Sequence, residues 1–171
     1  MTRELLLLRH GKSDWSAGTD DFYRPLKKRG KRGARLIAEW LTQQGLVPDH
    51  IISSSATRAV DTAHRVRKAL NLLTPGICTD ERIYGAAREQ LLDVLTGCPP
   101  QANRVLLVGH NPGLEDLLLY LVPTPPMIPA NGKLLPTAAL AQLLMPDEWQ
   151  SITGGSARLL NLTRPDTQNT S

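Results

Sequence analysis

Residues 3–11 have the sequence Arg-Glu-Leu-Leu-Leu-Leu-Arg-His-Gly, in which four consecutive leucines are followed at once by polar residues. A short apolar run that ends in polar residues is typical of a buried β-strand that leads into a loop. The stretch therefore predicts a strand over Arg3–Arg9, with His10 and Gly11 at its carboxyl end.

A second stretch repeats this pattern far along the chain. Residues 104–110 have the sequence Arg-Val-Leu-Leu-Val-Gly-His, which predicts another buried strand with His110 directly after it. In open α/β sheets, ligands bind outside the carboxyl ends of the strands. If the two strands are parallel neighbours, His10 and His110 meet at the same edge of the sheet.

Helical and strand patterns alternate over the remaining chain. Helices are predicted over residues 27–44, 57–70, 87–96 and 112–121, where apolar residues recur every three or four positions. Further strands are predicted over residues 50–53, 138–145 and 158–163, with a proline-rich loop over residues 123–136. Strands that alternate with helices predict an α/β fold with helices on both faces of the sheet.

Several residues mark the ends of these predicted helices. Gly45 is a suitable stop for the first helix, and the segment 53–57 offers several N-cap residues for the second. Asn111 and Pro112 are predicted as the N-cap and the first residue of the last helix.

The length and composition indicate one globular domain. The chain has 171 residues, of which 41% are hydrophobic, and this length corresponds to about one domain of ~150 residues. We therefore expect a single domain over 1–171, with a polar tail from about residue 165. Two cysteines are too few for a disulfide framework, and neither they nor the four histidines have the spacing of a zinc site.

The sequence carries no pattern of a membrane or secreted protein. Its apolar runs, such as Leu5–Leu8, are far shorter than the ~20 residues that a membrane span needs. The first four residues lack the basic and apolar regions of a signal peptide. We expect a cytoplasmic protein without a membrane partner.

Arg58 completes a set of residues that suits a phosphoryl group. It lies in the first turn of a predicted helix, and a helix N-terminus with a cationic side chain is an anion-binding site. Arginine donates to phosphate oxygens in a planar fork, and a neutral imidazole can attack phosphorus. His10, His110, Arg9 and Arg58 therefore predict phosphoryl-transfer chemistry.

Five ordered motifs resemble those of the histidine phosphatase superfamily, and within it those of the small SixA-type phosphohistidine phosphatases. They include Arg9-His10-Gly11 with the residues up to Trp15, and the block Arg24-Pro25-Leu26. The others are Ser54-x-x-x-Arg58-Ala59-x-x-Thr62-Ala63, Gly109-His110-Asn111-Pro112, and Pro136-Thr137-Ala138. The resemblance extends over residues 3 to about 163.

The resemblance implies a fold, a mechanism and a substrate class. The implied fold is a three-layer α/β/α sandwich of the phosphoglycerate mutase type, with a mostly parallel sheet that includes one antiparallel strand. His10 would be the nucleophile that forms a phosphoenzyme, and Arg9, Arg58 and His110 would form the phosphate pocket. No metal or other cofactor is implied. The implied substrate is a phosphorylated protein, such as a histidine-containing phosphotransfer domain, or a small phosphate ester.

Two positions of the sequence are compared with the pattern of the mutase-type members of this superfamily. Ser16 stands where the mutase-type members of the superfamily have Asn, so one phosphate donor is either absent or replaced by Ser16. Glu81 lies in Glu81-Arg82-Ile83-Tyr84-Gly85, which resembles the segment that carries the general acid of the mutases. Two alternatives to a phosphohistidine phosphatase stay open. One is a broad small-molecule phosphomonoesterase or mutase-like enzyme, and the other is a phosphoprotein-binding module without catalysis.

A basic run lies within the first predicted helix. Lys28, Lys31, Arg32 and Arg35 fall on one face of that helix, opposite its apolar stripe. A solvated helix face, a docking face for an acidic phosphoprotein and a nucleic-acid site all fit this run. The net charge of +4 and the aromatic content of 4% are low for a dedicated nucleic-acid binder, so we expect no nucleic-acid partner.

Overall fold

A sheet of six strands forms the centre of the molecule in the computed structural model, which describes residues 2–130 and 132–165. The expected polar tail lies outside the described residues from residue 166 onward. In chain order the strands are β1 (Arg3–Arg9), β2 (His50–Ser54), β3 (Ile77–Asp80), β4 (Arg104–Gly109), β5 (Leu140–Met145) and β6 (Arg158–Thr163).

The strands follow the order β3-β2-β4-β1-β5-β6 across the sheet. β1 pairs in parallel with β4, β4 with β2, and β2 with β3. β5 is antiparallel to β1 on one side and to β6 on the other. Within the described residues, β5 is thus the one strand that opposes the other five, which confirms the predicted mixed sheet.

Four α-helices cover the two faces of the sheet in this part of the chain. They are α1 (Lys28–Gln44), α2 (Thr57–Ala69), α3 (Arg88–Thr96) and α4 (Gly113–Leu121). Successive side chains of a strand point to opposite faces, so Leu6 and Leu8 of β1 pack with α1 and α2. Leu5 and Leu7 pack with α3 and α4 on the other face. The run of four leucines is buried because β1 is covered on both sides.

The ends of some elements differ from the prediction. Ala56, rather than a side chain of the serine run, caps α2, and its N–H donates to Ser54 Oγ at 3.2 Å. The prediction of Asn111 as the N-cap of α4 was wrong: Pro112 caps the helix, and the Asn111 amide donates instead to the Leu135 carbonyl. β5 begins at Leu140 rather than at residue 138.

No helix within residues 2–130 and 132–165 has both the length and the hydropathy that a membrane span requires.

Candidate active site

The carboxyl ends of β1 and β4 bring the two histidines of the motifs together. Arg9 is the register partner of Gly109, so the residue after each strand lies at the same height on the sheet edge. The imidazole rings of His10 and His110 lie with their centroids 5.1 Å apart. The predicted meeting of these two side chains is therefore present in the structure.

A cavity of about 230 Å³ opens at this edge of the sheet. It is lined by Arg9, His10, Lys12, Ser13, Trp15, Arg24, Arg58, His110, Asn111 and Thr137. The described lining residues include four cationic side chains and no carboxylate. Among residues 2–130 and 132–165, no group of three or more His, Cys, Asp or Glu could hold a metal ion. The chemistry available at the cavity is that of an anion bound beside two imidazoles.

The environment of His10 keeps its ring neutral and fixes the position of its proton. His10 Nδ1 lies 2.7 Å from the Gly11 carbonyl oxygen, which can only accept, so Nδ1 carries the proton and donates. Nε2 then carries the lone pair. Burial, reinforced by the nearby charge of Arg58, lowers the pKa of His10 to about 3. The imidazole is therefore neutral near pH 7.

Ser54 holds the ring of His110. His110 Nε2 and Ser54 Oγ form a hydrogen bond of 2.7 Å, and Ser54 Oγ also accepts from the Ala56 N–H. A hydroxyl oxygen has two acceptor sites, so this bond fits either tautomer of the neutral ring, and His110 Nδ1 is buried without a hydrogen-bond partner. Burial first, and then the Arg58 charge, lower the pKa of His110 to about 4.

The two arginines also present unpaired donors. The Nε atoms of Arg9 and Arg58 are buried and have no hydrogen-bond partner in the protein. A buried donor without a partner is unfavourable, and an oxyanion that accepts from it removes that cost. Arg24 Nε and His110 Nδ1 are likewise buried without a partner, so four residues of the cavity lining carry an unpaired nitrogen.

Asp21 orients Arg58 from outside the cavity. Its carboxylate accepts from Arg58 at 3.1 Å, from Arg24 at 2.8 Å and from the Tyr84 hydroxyl at 2.6 Å. The Asp21 carbonyl also accepts from Arg58 at 2.6 Å. The bonds from Tyr84 and Arg24 hold the pKa of Asp21 well below its usual range, so its carboxyl is an acceptor and not a proton donor.

The proline-rich loop contacts two residues of the cavity lining, Arg9 and Asn111. The Leu135 carbonyl accepts from Arg9 at 3.1 Å and from the Asn111 amide at 2.8 Å. The Leu135 N–H donates to Glu115 Oε1 at 2.8 Å, which fixes the loop to α4. The sequence predicts a loop here, but its spacing gives no sign that the loop holds Arg9.

Glu81 and Ser16, which the sequence assigns to the pocket, are not among its lining residues. Glu81 is exposed in a 3-10 turn that follows β3, and its carboxylate makes no hydrogen bond with a described residue. Ser16 is also exposed, and its hydroxyl donates to Asp14 at 2.6 Å. The segment of Glu81 does reach the site, but through Tyr84, whose ring meets His110 edge-on at 5.6 Å.

Comparison with known proteins identifies the family of this chain. The family model of the histidine phosphatase superfamily (branch 1) matches residues 5–89. Phosphohistidine phosphatase SixA of Escherichia coli is 32% identical over 140 residues, which cover 75% of this chain and 81% of that protein. The chain belongs to the histidine phosphatase superfamily.

Other relatives of this chain match it over nearly its whole length. An uncharacterized protein of Mycobacterium tuberculosis is 30% identical over 163 residues, which cover 92% of this chain and 99% of that protein. The crystal structure of a candidate phosphohistidine phosphatase SixA from Agrobacterium tumefaciens superposes with a TM-score of 0.79 at 29% identity. That superposition covers 96% of this chain and all of the other. The predicted family and fold are thereby confirmed.

The lowered pKa of His10 gives a direct test of its readiness as a nucleophile. Because burial favours the neutral ring, protonation should occur only far below the ordinary value of about 6.5. We expect ¹⁵N-edited NMR of the imidazoles to show His10 as the neutral Nδ1–H form throughout pH 8 to 5. The variant H10Q identifies its signals by their loss. A midpoint near pH 6.5 for those signals would contradict the assignment.

Proposed function

We propose that this protein is a phosphatase that removes the phosphoryl group from phosphohistidine on a protein. One observation carries the proposal: the neutral ring of His10 lies among Arg9, Arg58 and His110 in a cavity whose described lining has no carboxylate. These groups suit phosphoryl binding and attack, and they supply no strong proton donor for the leaving group. The likeness to SixA supports the same substrate class.

In the first step, the phosphoryl group moves from the substrate to His10. The lone pair on His10 Nε2 forms the new N–P bond, and the P–N bond of the substrate breaks. Its electron pair passes to the substrate ring, which leaves as neutral imidazole because its other nitrogen has taken a proton from solvent. Arg9, Arg58 and His110 hold the phosphoryl oxygens, whose charge changes during transfer. The Gly11 carbonyl accepts from Nδ1 and steadies the positive charge that develops on the His10 ring.

In the second step, water hydrolyses the phosphoenzyme. The oxygen of a water molecule forms a bond to phosphorus, and the P–Nε2 bond returns its electron pair to His10. The water gives up a proton to solvent, and inorganic phosphate leaves. His10 is then again neutral and protonated at Nδ1, as it is in the free protein.

The leaving group explains why phosphohistidine fits this site better than phosphoserine does. Cleavage of a serine ester expels an alkoxide, and a positioned general acid contributes about 10²–10⁴-fold to such a step. Cleavage of phosphohistidine expels imidazole, which titrates near pH 6.5 and leaves readily once water has protonated its nitrogen. Asp21, whose carboxylate accepts from Arg58, is held ionised by Tyr84 and Arg24 and cannot serve as that acid.

We therefore expect kcat/KM to be at least about 10²-fold higher for a phosphohistidine protein than for the same protein bearing phosphoserine. The measurement is phosphate release from both substrates, with p-nitrophenyl phosphate as an ester with a good leaving group. p-Nitrophenyl phosphate should be cleaved better than the serine ester, because nitrophenolate needs no proton. Faster cleavage of phosphoserine than of phosphohistidine would show the proposal to be wrong.

E81Q separates the proposed mechanism from one with a general acid in the segment that follows β3. Because Glu81 is exposed and lies outside the lining of the cavity, we expect E81Q to leave kcat/KM on phosphohistidine and on phosphoserine within about twofold of wild type. A loss on phosphoserine that clearly exceeds the loss on phosphohistidine would instead assign the general acid to Glu81. R82Q is the matched control, because Arg82 is the next residue of the same turn and pairs with Asp80.

A further inference from the structure

A second cavity, larger than the catalytic one, lies between α1 and α2. Its volume is about 510 Å³, and it is lined by six cationic side chains and one alanine. These are Lys28, Lys31, Arg32, Arg35, Arg65, Lys68 and Ala69, which together we call the basic groove. No acidic side chain is among these lining residues.

Most of the charge in the basic groove is uncompensated. Arg35 lies 3.8 Å from Glu39, and Arg65 lies 2.9 Å from Asp61. The other four cations make no ion pair within the described part of the chain; they are Lys28, Lys31, Arg32 and Lys68. A concave surface with charges of one sign concentrates the field and attracts a partner of the opposite sign.

The placement of these cations works against the stability of α1 itself. The N-terminus of a helix carries a partial positive charge, so acidic residues are favourable in its first turn and cations are unfavourable. The first turn of α1 contains no acidic residue and begins with Lys28. Lys28 and Arg32 are also like charges four residues apart, as are Lys31 and Arg35, and such pairs repel on a helix. A solvated helix face needs no such arrangement, whereas an anion-binding face does.

The basic groove begins at the rim of the catalytic cavity. Lys12 lines that cavity, and its carbonyl accepts from the N–H of Lys27, the residue before α1, at 2.9 Å. On α2, Arg58 lies at the catalytic end, and the groove residues Arg65 and Lys68 follow about 10–15 Å further along the helix at 1.5 Å per residue. A macromolecule whose phosphorylated side chain enters the cavity would extend over the groove.

We propose that the basic groove binds an acidic segment of the protein substrate that flanks its phosphohistidine; this inference rests on the proposed function. The groove contains no aromatic side chain on which bases could stack, so a protein chain fits it better than single-stranded nucleic acid does. An extended peptide rises about 3.3 Å per residue, so acidic residues three to five positions from the phosphohistidine reach Arg65 and Lys68.

The test compares two phosphohistidine peptides that differ only in flanking charge. One carries glutamates three to six residues away on both sides of the phosphohistidine, and the other carries glutamines there. We expect wild type to cleave the acidic peptide with a kcat/KM at least about tenfold higher at low salt, mainly through KM, and to lose this preference as salt is raised. The groove variant K31Q/R32Q/K68Q should lose the preference. R29Q, a change on the same helix at an exposed residue outside the groove lining, should keep it.

Two further measurements separate failure of the groove from failure of the proposed function. Phosphoramidate, which has no flanking segment, should be cleaved equally by wild type and by the groove variant. The acidic peptide without phosphate should bind wild type, but not the groove variant, in fluorescence anisotropy, whether or not the protein cleaves phosphohistidine. Equal kcat/KM for the two peptides together with no such binding overturns the inference. Binding of duplex DNA that the groove variant loses, without binding of the peptide, overturns it in favour of a nucleic-acid partner.

Discussion

Replacing His10 with alanine is expected to abolish the phosphoenzyme and to lower kcat/KM on phosphohistidine by at least about 10³-fold, as removal of a catalytic nucleophile does elsewhere. The reason is the Nε2 lone pair, which the hydrogen bond from Nδ1 to the Gly11 carbonyl leaves free. The measurements are the turnover rate and mass spectrometry of protein that is quenched at high pH during turnover, which preserves an acid-labile phosphoryl group. A phosphoryl group should appear on His10 in wild type alone.

H64A is the matched control for this variant. His64 is exposed on α2 and is not among the residues that line the catalytic cavity. Its loss should leave both the phosphoenzyme and the rate unchanged. Full activity in H10A, or a phosphoryl group found on His110 of wild type, would remove His10 from the role of nucleophile.

The parts of the fold that the sequence predicts best are those with a continuous apolar signal. The bounds of β1 and β4 match the prediction, and α1 differs by one residue. These strands lie side by side in the middle of the sheet and are buried on both faces, so nearly every side chain in them must be apolar. The same placement explains why the motif residues at their ends could be predicted to meet.

The sequence gives no prediction for elements whose residues are not buried, because they need no apolar pattern. β3, a strand of four residues at the edge of the sheet, has no buried residue, and no strand was predicted there. The early start predicted for β5 fails for a different reason. Ala138 adopts a positive φ of 60°, and its N–H donates to the carbonyls of both Arg9 and His10. That residue closes the loop onto the site before the strand begins.

The site is only partly visible in the sequence, because its supporting contacts are tertiary. Asp21 lies 37 residues from Arg58 and 63 residues from Tyr84 along the chain, yet it binds both. No spacing rule links these positions. Asp21 belongs to none of the motifs found in the sequence, whereas in the structure it is the acceptor that orients Arg58. The general acid predicted at Glu81 rests on resemblance alone, and no described contact brings that carboxylate to the cavity.

The second large effect is expected from a change that removes no functional group, the replacement of Gly30 by alanine. In an isolated helix this change is favourable by about 1 kcal/mol. Here the new methyl group would collide with the Lys12 carbonyl and lie 2.8 Å from the Lys12 nitrogen. The reverse contact is also too close, since a Cβ on Gly11 would lie 2.5 Å from the Gly30 oxygen. Backbone thus meets backbone between α1 and the loop that follows His10.

Because neither backbone can yield cheaply, G30A must push the loop away from α1. The Gly11 carbonyl accepts from His10, and the Gly11 N–H donates to Thr62 Oγ1 at 3.0 Å, so a shift of this loop moves the His10 ring. A displacement of about 1 Å at a reacting group costs about 10²-fold in rate, and we expect a loss of that size in kcat/KM. Overpacking should also lower the free energy of unfolding by about 1–3 kcal/mol.

Gly76 provides the control, because a methyl group there meets no atom within 4 Å. G76A should leave kcat/KM unchanged and hold or slightly raise the unfolding free energy, since alanine restricts the unfolded chain. Urea denaturation and phosphohistidine turnover measured on both variants separate the two effects. If G30A were as stable and as active as G76A, the contact between α1 and the active-site loop would not be what positions His10.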